Sequence, residues 1–140
     1  VTVASDVRST VHRLLAAVES RDLETVGCCL TTDASWSNVP HPAAVGRAAV
    51  CAMLAVVVGR AEQVRWDVVS AAYDADRAHL ERLDRFWIGG RELVSPCHGV
   101  FRVDLERGQV CEVRDYVDLG PWRAALSEAQ GSDLERGGGR

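Results

Sequence analysis

Val7, Val11, Leu14, Leu15 and Val18 recur at the spacing of one helical face. That pattern predicts an amphipathic helix, with Ser5 placed to cap it. A second short helix is expected over about 22–30, then an extended piece at 34–39, ended by the Pro40-His41-Pro42 run. Residues 45–58 are strongly apolar and predict a third helix stopped by Gly59, with Val50, Met53, Leu54 and Val57 on one face. From 64 onward the period changes to that of strands. Four long segments, 64–73, 77–87, 92–104 and 109–117, are separated by turn signals at Asp74-Ala75-Asp76, Ile88-Gly89-Gly90-Arg91 and Leu105-Glu106-Arg107-Gly108. Short breaks between long strands predict an antiparallel meander. A last helix is expected near Pro121, with Asp118 as its cap, and the glycine-rich stretch 131–140 is expected to be a disordered tail.

Helices followed by a long sheet indicate an α+β fold. A curved, mainly antiparallel sheet wrapped around the N-terminal helices would leave an apolar pocket between the layers. The length of 140 residues fits one domain, expected to span 1–130. A net charge of −4 gives no electrostatic case for a nucleic-acid partner. All 16 basic residues are arginine, which excludes a Schiff-base lysine. The five cysteines, Cys28, Cys29, Cys51, Cys97 and Cys111, are odd in number and irregularly spaced. They read as small buried hydrophobes rather than as disulfides or metal ligands. No apolar run is long enough for a bilayer, so no membrane partner is expected. Residues 1–6 lack the basic and apolar regions of a signal peptide, and a cytoplasmic location is the expectation.

Residues two apart on a strand share a face. Along 109–117, Cys111, Val113, Asp115 and Val117 fall on one face, and Glu112, Arg114 and Tyr116 on the other. Asp115 therefore stands among apolar neighbours, where a carboxylate is costly unless paired. Along 77–87, Leu80, Arg82, Asp84 and Phe86 share a face, opposite Glu81, Leu83, Arg85 and Trp87. Both faces are mixed. Alternation leaves open whether Arg82 and Asp84 point inward or form a solvated pair worth about 0–1 kcal/mol. If they point inward, two aspartates share one arginine in an apolar pocket. Binding one proton removes the surplus charge, leaving one carboxyl as a donor and the other as an acceptor. That is a general acid and a general base at neutral pH, bridged by an arginine whose fork reaches both.

These residues and their spacing resemble the limonene epoxide hydrolase family, within the nuclear-transport-factor-like, SnoaL-like cone fold. Glu81-Arg82-Leu83-Asp84-Arg85-Phe86 is similar to the family's strand bearing an arginine and an acidic proton donor. Val113-Arg114-Asp115-Tyr116-Val117-Asp118 is similar to the strand bearing its general base, and the two aspartates are separated as in the family. Trp36-Ser37-Asn38-Val39-Pro40, with Gly46-Arg47 after it, resembles the loop that holds the attacking water through a tyrosine and an asparagine. Trp36 stands at the tyrosine position. The resemblance runs from the first helix to about residue 126.

The resemblance implies that Asp115, helped by Asn38, deprotonates a water that opens a small-molecule epoxide. Asp84 protonates the leaving oxygen and Arg82 holds both aspartates, with no covalent intermediate, cofactor or metal. It also implies a homodimer. Strand parity and the helix face nominate Met53, Leu54, Phe86, Val100 and Val113 as pocket walls. An indole N–H can only donate. Trp36 is therefore expected to border the water site, turn its N–H away from the water and offer its flat face to the substrate. Two other functions fit the same chain. One is a cyclase in which a substrate hydroxyl replaces the water; the other is a cone-fold binding module without catalysis.

Overall fold

The computed structural model describes residues 6–137, with side chains to residue 128. Helix α1 (Val7–Glu19) buries Val11, Leu14, Leu15 and Val18, the face that the spacing predicts. Its cap is Asp6, whose Oδ1 accepts from Arg8 N at 2.7 Å and Ser9 N at 3.4 Å. A carboxylate at this position also complements the helix dipole. Ser5 lies outside the described residues. Helix α2 (Leu23–Cys28) starts at its cap Asp22 and stops before Leu30, which opens β1 (Leu30–Val39) instead. A two-residue strand β2 (Ala44–Val45) leads into α3 (Arg47–Val58), which ends at Gly59. Arg47 donates to the carbonyl of Leu30 at 2.7 and 3.1 Å and so fastens the start of α3 to the start of β1.

The four expected strands are present as β3 (Gln63–Asp74), β4 (Arg77–Ile88), β5 (Arg91–Asp104) and β6 (Gln109–Val117). The β4–β5 turn needs positive φ at both central residues, and Gly89 and Gly90 supply 60° and 75°. The sheet is curved, with strand order β2-β1-β6-β5-β4-β3. Strands β3 to β6 form the antiparallel meander, while β1 pairs parallel to β6. Helix α1 lies across β3 to β6 and α3 packs on β1, so the core sits between these helices and the concave face.

Two expectations change. On β6, Glu112 pairs with Arg102 but Val110 pairs with Val103, so an extra residue is accommodated at Cys111. The parity breaks there: Val110 and Val113 are both buried, and Cys111 turns its thiol to the carbonyl of Arg102 at 3.4 Å. Helix α4 (Leu119–Gly137) starts after Asp118, whose Oδ1 accepts from Gly120 N at 2.9 Å. It runs on through the stretch expected to be a tail, where Ser132-Asp133-Leu134-Glu135-Arg136 has ordinary helix propensity. Residues 138–140 lie outside the described residues. Among the described residues no helix is long and apolar enough to cross a membrane.

Candidate active site

Cross-strand register lays the site out in three rows on the concave face. One row reads Trp66, Asp84, Ser95; the next Val68, Arg82, Cys97, Val117; the third Leu80, Gly99, Asp115, Asn38. The face of β4 left open by alternation is thus the inner one: Leu80, Arg82, Asp84 and Phe86 are all buried. Arg82 is fully buried at 0% exposure, with Asp84 at 6% and Asp115 at 4%.

The arginine bridges the two acids. Its Nε and Nη2 donate to Asp84 Oδ1 and Oδ2, each at 2.9 Å, a fork-to-fork pair within one strand. Its Nη1 donates to Asp115 Oδ1 at 3.2 Å, two strands away. That reach passes over Gly99. A Cβ on Gly99 would lie 2.6 Å from Asp115 Oδ1 and would collide with Arg82 Nη1. Only glycine leaves the bridge its space, a reason for glycine in mid-strand that the sequence pattern does not announce. The guanidinium also lies over the rings of Trp66 and Phe101, 4.8 and 5.5 Å from their centroids.

Charge counting and burial now agree. Burial pushes the Asp84 carboxyl above the ordinary carboxylate range; Arg82 opposes that shift and Asp115 adds to it. Burial alone would lower Arg82, but Asp115 and Asp84 more than reverse it and keep the guanidinium charged. Cys97 accepts from Arg82 Nη2 at 3.3 Å. Burial, with the nearby Asp115, holds its thiol high, so it stays protonated. Cys97, expected from the sequence to be a small buried hydrophobe, thus also borders the guanidinium.

Above this cluster lies a half-enclosed cavity of about 110 Å³. Asp84, Asp115, Trp36 and Asn38 line it, with Ser95 and Cys97. Its apolar walls include Met53, Leu54 and Phe86, as nominated, and also Val57, Trp66, Val117, Leu119 and Trp122. Val100 and Val113 are not among the lining residues. Gly99 and Phe101 take the inner positions of β5, which puts Val100 on the outer face, between His79 and Arg114. Val113 does face inward, but it is packed in the core between Trp36 and Phe101. Trp122 reaches the cavity because α4 sets it on Phe86, with ring centroids 4.9 Å apart.

Trp36 is 2% exposed, wedged edge-on between Trp66 and Phe101. Its N–H turns to the acid itself, donating to Asp115 Oδ2 at 3.0 Å. Asp115 is thus held by Arg82 at one oxygen and by Trp36 at the other. Asn38, half-buried, stands beside Asp115 on the neighbouring strand.

Residues 11–113 match the SnoaL-like domain, and the chain belongs to that family. Arg82 and Asp84 fall inside the matched span and Asp115 just beyond it. No curated protein matches the chain. Among solved structures, it is similar to an LEH-like epoxide hydrolase from M. tuberculosis, at 24% identity and a TM-score of 0.74, covering 93% of this chain and 96% of that one. It is also similar to Bal32a from a soil-derived mobile gene cassette, at 25% identity and a TM-score of 0.70, covering 85% and 95%. A protein from Shewanella denitrificans described as a SnoaL-like polyketide cyclase has a TM-score of 0.76 at 11% identity, covering 87% and 97%. The fold is the cone fold of these proteins.

Proposed function

We propose that the chain is an epoxide hydrolase that adds water to an epoxide in one acid–base step, giving a vicinal diol. The observation that carries this reading is Arg82, fully buried and bonded to both Asp84 and Asp115 at the floor of an apolar cavity. In this reading Asp115, ionised, accepts one proton from a water that Asn38 helps to orient. The water oxygen attacks an epoxide carbon as the carbon–oxygen bond on the far side breaks. Asp84, whose carboxyl burial pushes above the ordinary carboxylate range, gives its proton to the departing oxygen. The diol leaves with Asp115 protonated and Asp84 ionised, and a proton passed back through solvent restores the start. Arg82 holds both carboxyls throughout, and the residues of the chain supply the acid and the base themselves.

A screen of small and large epoxides, with diol detection, tests this. Diol formation by the purified protein from at least one epoxide is the expected result; no opening of any would remove the reading. A second reading is favoured by Trp36. Its N–H is committed to Asp115 rather than to a water. A substrate hydroxyl in place of water would turn the same acid and base into an epoxide-opening cyclase, and a cyclic ether in the screen would reveal it. The resemblance to the limonene epoxide hydrolases also favours a homodimer. Tyr116 and Val94, exposed on the outer face of the sheet, are the surface that such a dimer would cover. Sedimentation of the purified chain checks the dimer.

A further inference from the structure

Most polar side chains that line the cavity are already paired. Asp84 and Asp115 accept from Arg82, the sulfur of Cys97 accepts from the same guanidinium, and the N–H of Trp36 is held by Asp115. The Nε1 of Trp66 is buried. Two polar heads remain unspent, those of Asn38 and Ser95, and both residues are half-buried. Neither side chain has a hydrogen-bond partner among the described residues, and neither has a polar atom shut away from solvent. Their places match. Asn38 is the cross-strand partner of Asp115, and Ser95 that of Asp84. The proposed base and the proposed acid thus each have one free polar neighbour on the next strand.

Asn38 already has a task in the proposed reaction, orienting the water; Ser95 has none. Ser95 lies on the inner face of β5, two residues from Leu93 and from Cys97, both buried. Side chains directly opposite on paired strands stand about 4.5–5.5 Å apart at Cβ. An oxygen that takes a hydrogen bond from Asp84 therefore comes within reach of the Ser95 hydroxyl, which has one hydrogen to give. Water entering the cavity can serve that hydroxyl, but a ligand that fills the cavity displaces the water. Left unpaired, the hydroxyl then costs binding energy. An epoxide oxygen has two lone pairs. Asp84 takes one as it delivers its proton, and the other is left for a second donor. Negative charge gathers on this oxygen as its bond to carbon breaks, and a donor already in place stabilises it.

We propose that Ser95 is a further catalytic residue, whose hydroxyl donates a hydrogen bond to the epoxide oxygen beside Asp84. The proton itself still comes from Asp84, and Ser95 keeps its own. The reaction in this inference rests on the epoxide-hydrolase reading. The donor does not, because any neutral ligand that sets a carbonyl oxygen beside Asp84 takes the same bond from Ser95.

Two measurements test the proposal, the second without the reaction. In the first, Ser95→Ala and Ser95→Thr of the full chain are compared on an epoxide that the parent opens. Loss of the donor should cut kcat about 10- to 100-fold in the Ala variant, the worth of a hydrogen bond to a charged group. Thr keeps a hydroxyl and should recover most of that loss. Parental kcat in the Ala variant, or equal loss in both, overturns the proposal. In the second, Kd is measured for cyclohexanone and methylenecyclohexane, which share a shape and differ in the carbonyl, through quenching of indole fluorescence. The parent should prefer the ketone, and Ser95→Ala should cut that preference about fivefold, the worth of one net hydrogen bond. A parent without the preference, or an unchanged preference in the Ala variant, overturns it. If the parent opens no epoxide, the hydrolase reading falls and the ketone titration alone decides whether Ser95 is the donor.

Discussion

The indole N–H of Trp36 donates to Asp115 Oδ2 at 3.0 Å, and both side chains are buried. With Arg82 on Oδ1, this bond fixes the plane of the carboxylate, leaving its remaining lone pairs to accept from whatever occupies the cavity. Trp36 is thus a positioning residue for the proposed base. Trp36→Phe keeps an aromatic ring against Trp66 and Phe101 and removes only the donor. A hydrogen bond to a charged group contributes about 1.5–3 kcal/mol, so kcat should fall about 10- to 100-fold. KM should move much less. Steady-state kinetics on any epoxide that the parent opens checks this, and an unchanged kcat would reduce Trp36 to packing.

Arg82 offsets two buried carboxyls at once. Arg82→Met leaves them uncompensated, and breaking a buried pair in this way costs about 3–5 kcal/mol. Arg82→Lys keeps the charge but loses the fork that grips both oxygens of Asp84. Denaturant unfolding should rank the three chains parent, Lys, Met. Equal stability of Met and parent would show that the bridge carries little energy.

Gly99→Ala places a Cβ 2.6 Å from Asp115 Oδ1 and 2.9 Å from a ring carbon of Phe101. Overpacking of this kind costs about 1–3 kcal/mol. Here it also forces Arg82 and Asp115 apart, so turnover should fall further than stability alone explains. Full activity in a folded Ala variant would mean that the bridge is dispensable.

The raised Asp84 gives a pH dependence of definite sign. In the unfolded chain this carboxyl ionises near 3.8, and in the fold burial holds it higher. Between those two values the native state binds more protons than the unfolded one. The contribution of Asp84 to stability is therefore complete below the ordinary carboxylate range and is lost as pH rises through the folded pKa. Turnover that needs protonated Asp84 falls through the same window. Thermal unfolding against pH should show the parent losing stability relative to Asp84→Asn as pH rises. Parallel curves would contradict the shift.

Much of this was legible in the chain. The apolar spacing of α1 and α3 and the turn signals between β3, β4, β5 and β6 carry the elements, because those patterns follow local periodicity. The parallel seat of β1 beside β6 was not legible, since pairing across such a separation leaves no local mark. Asp115 stood out as a charge on an apolar face. Arg82 and Asp84 did not, because both faces of β4 are mixed, and the register with Cys97 and Gly99 was needed to turn them inward. Val100 was misplaced because parity gives alternation along β5 without saying which set faces the cavity. For the same reason nothing in the sequence marks Trp66 and Trp122 as cavity walls, as apolar bulk does not say whether a wall borders protein or a cavity.

The central claim is that Asp115 and Asp84 open an epoxide with solvent water and no covalent intermediate. A single turnover in oxygen-labelled water, followed by mass analysis of product and protein, tests it most directly. The account predicts label in the diol and none in the protein. It also predicts that Asp84→Asn and Asp115→Asn, still folded, lose activity by about a hundred- to ten-thousand-fold. Label in either aspartate, or near-parental turnover by the Asp115 variant, would contradict it.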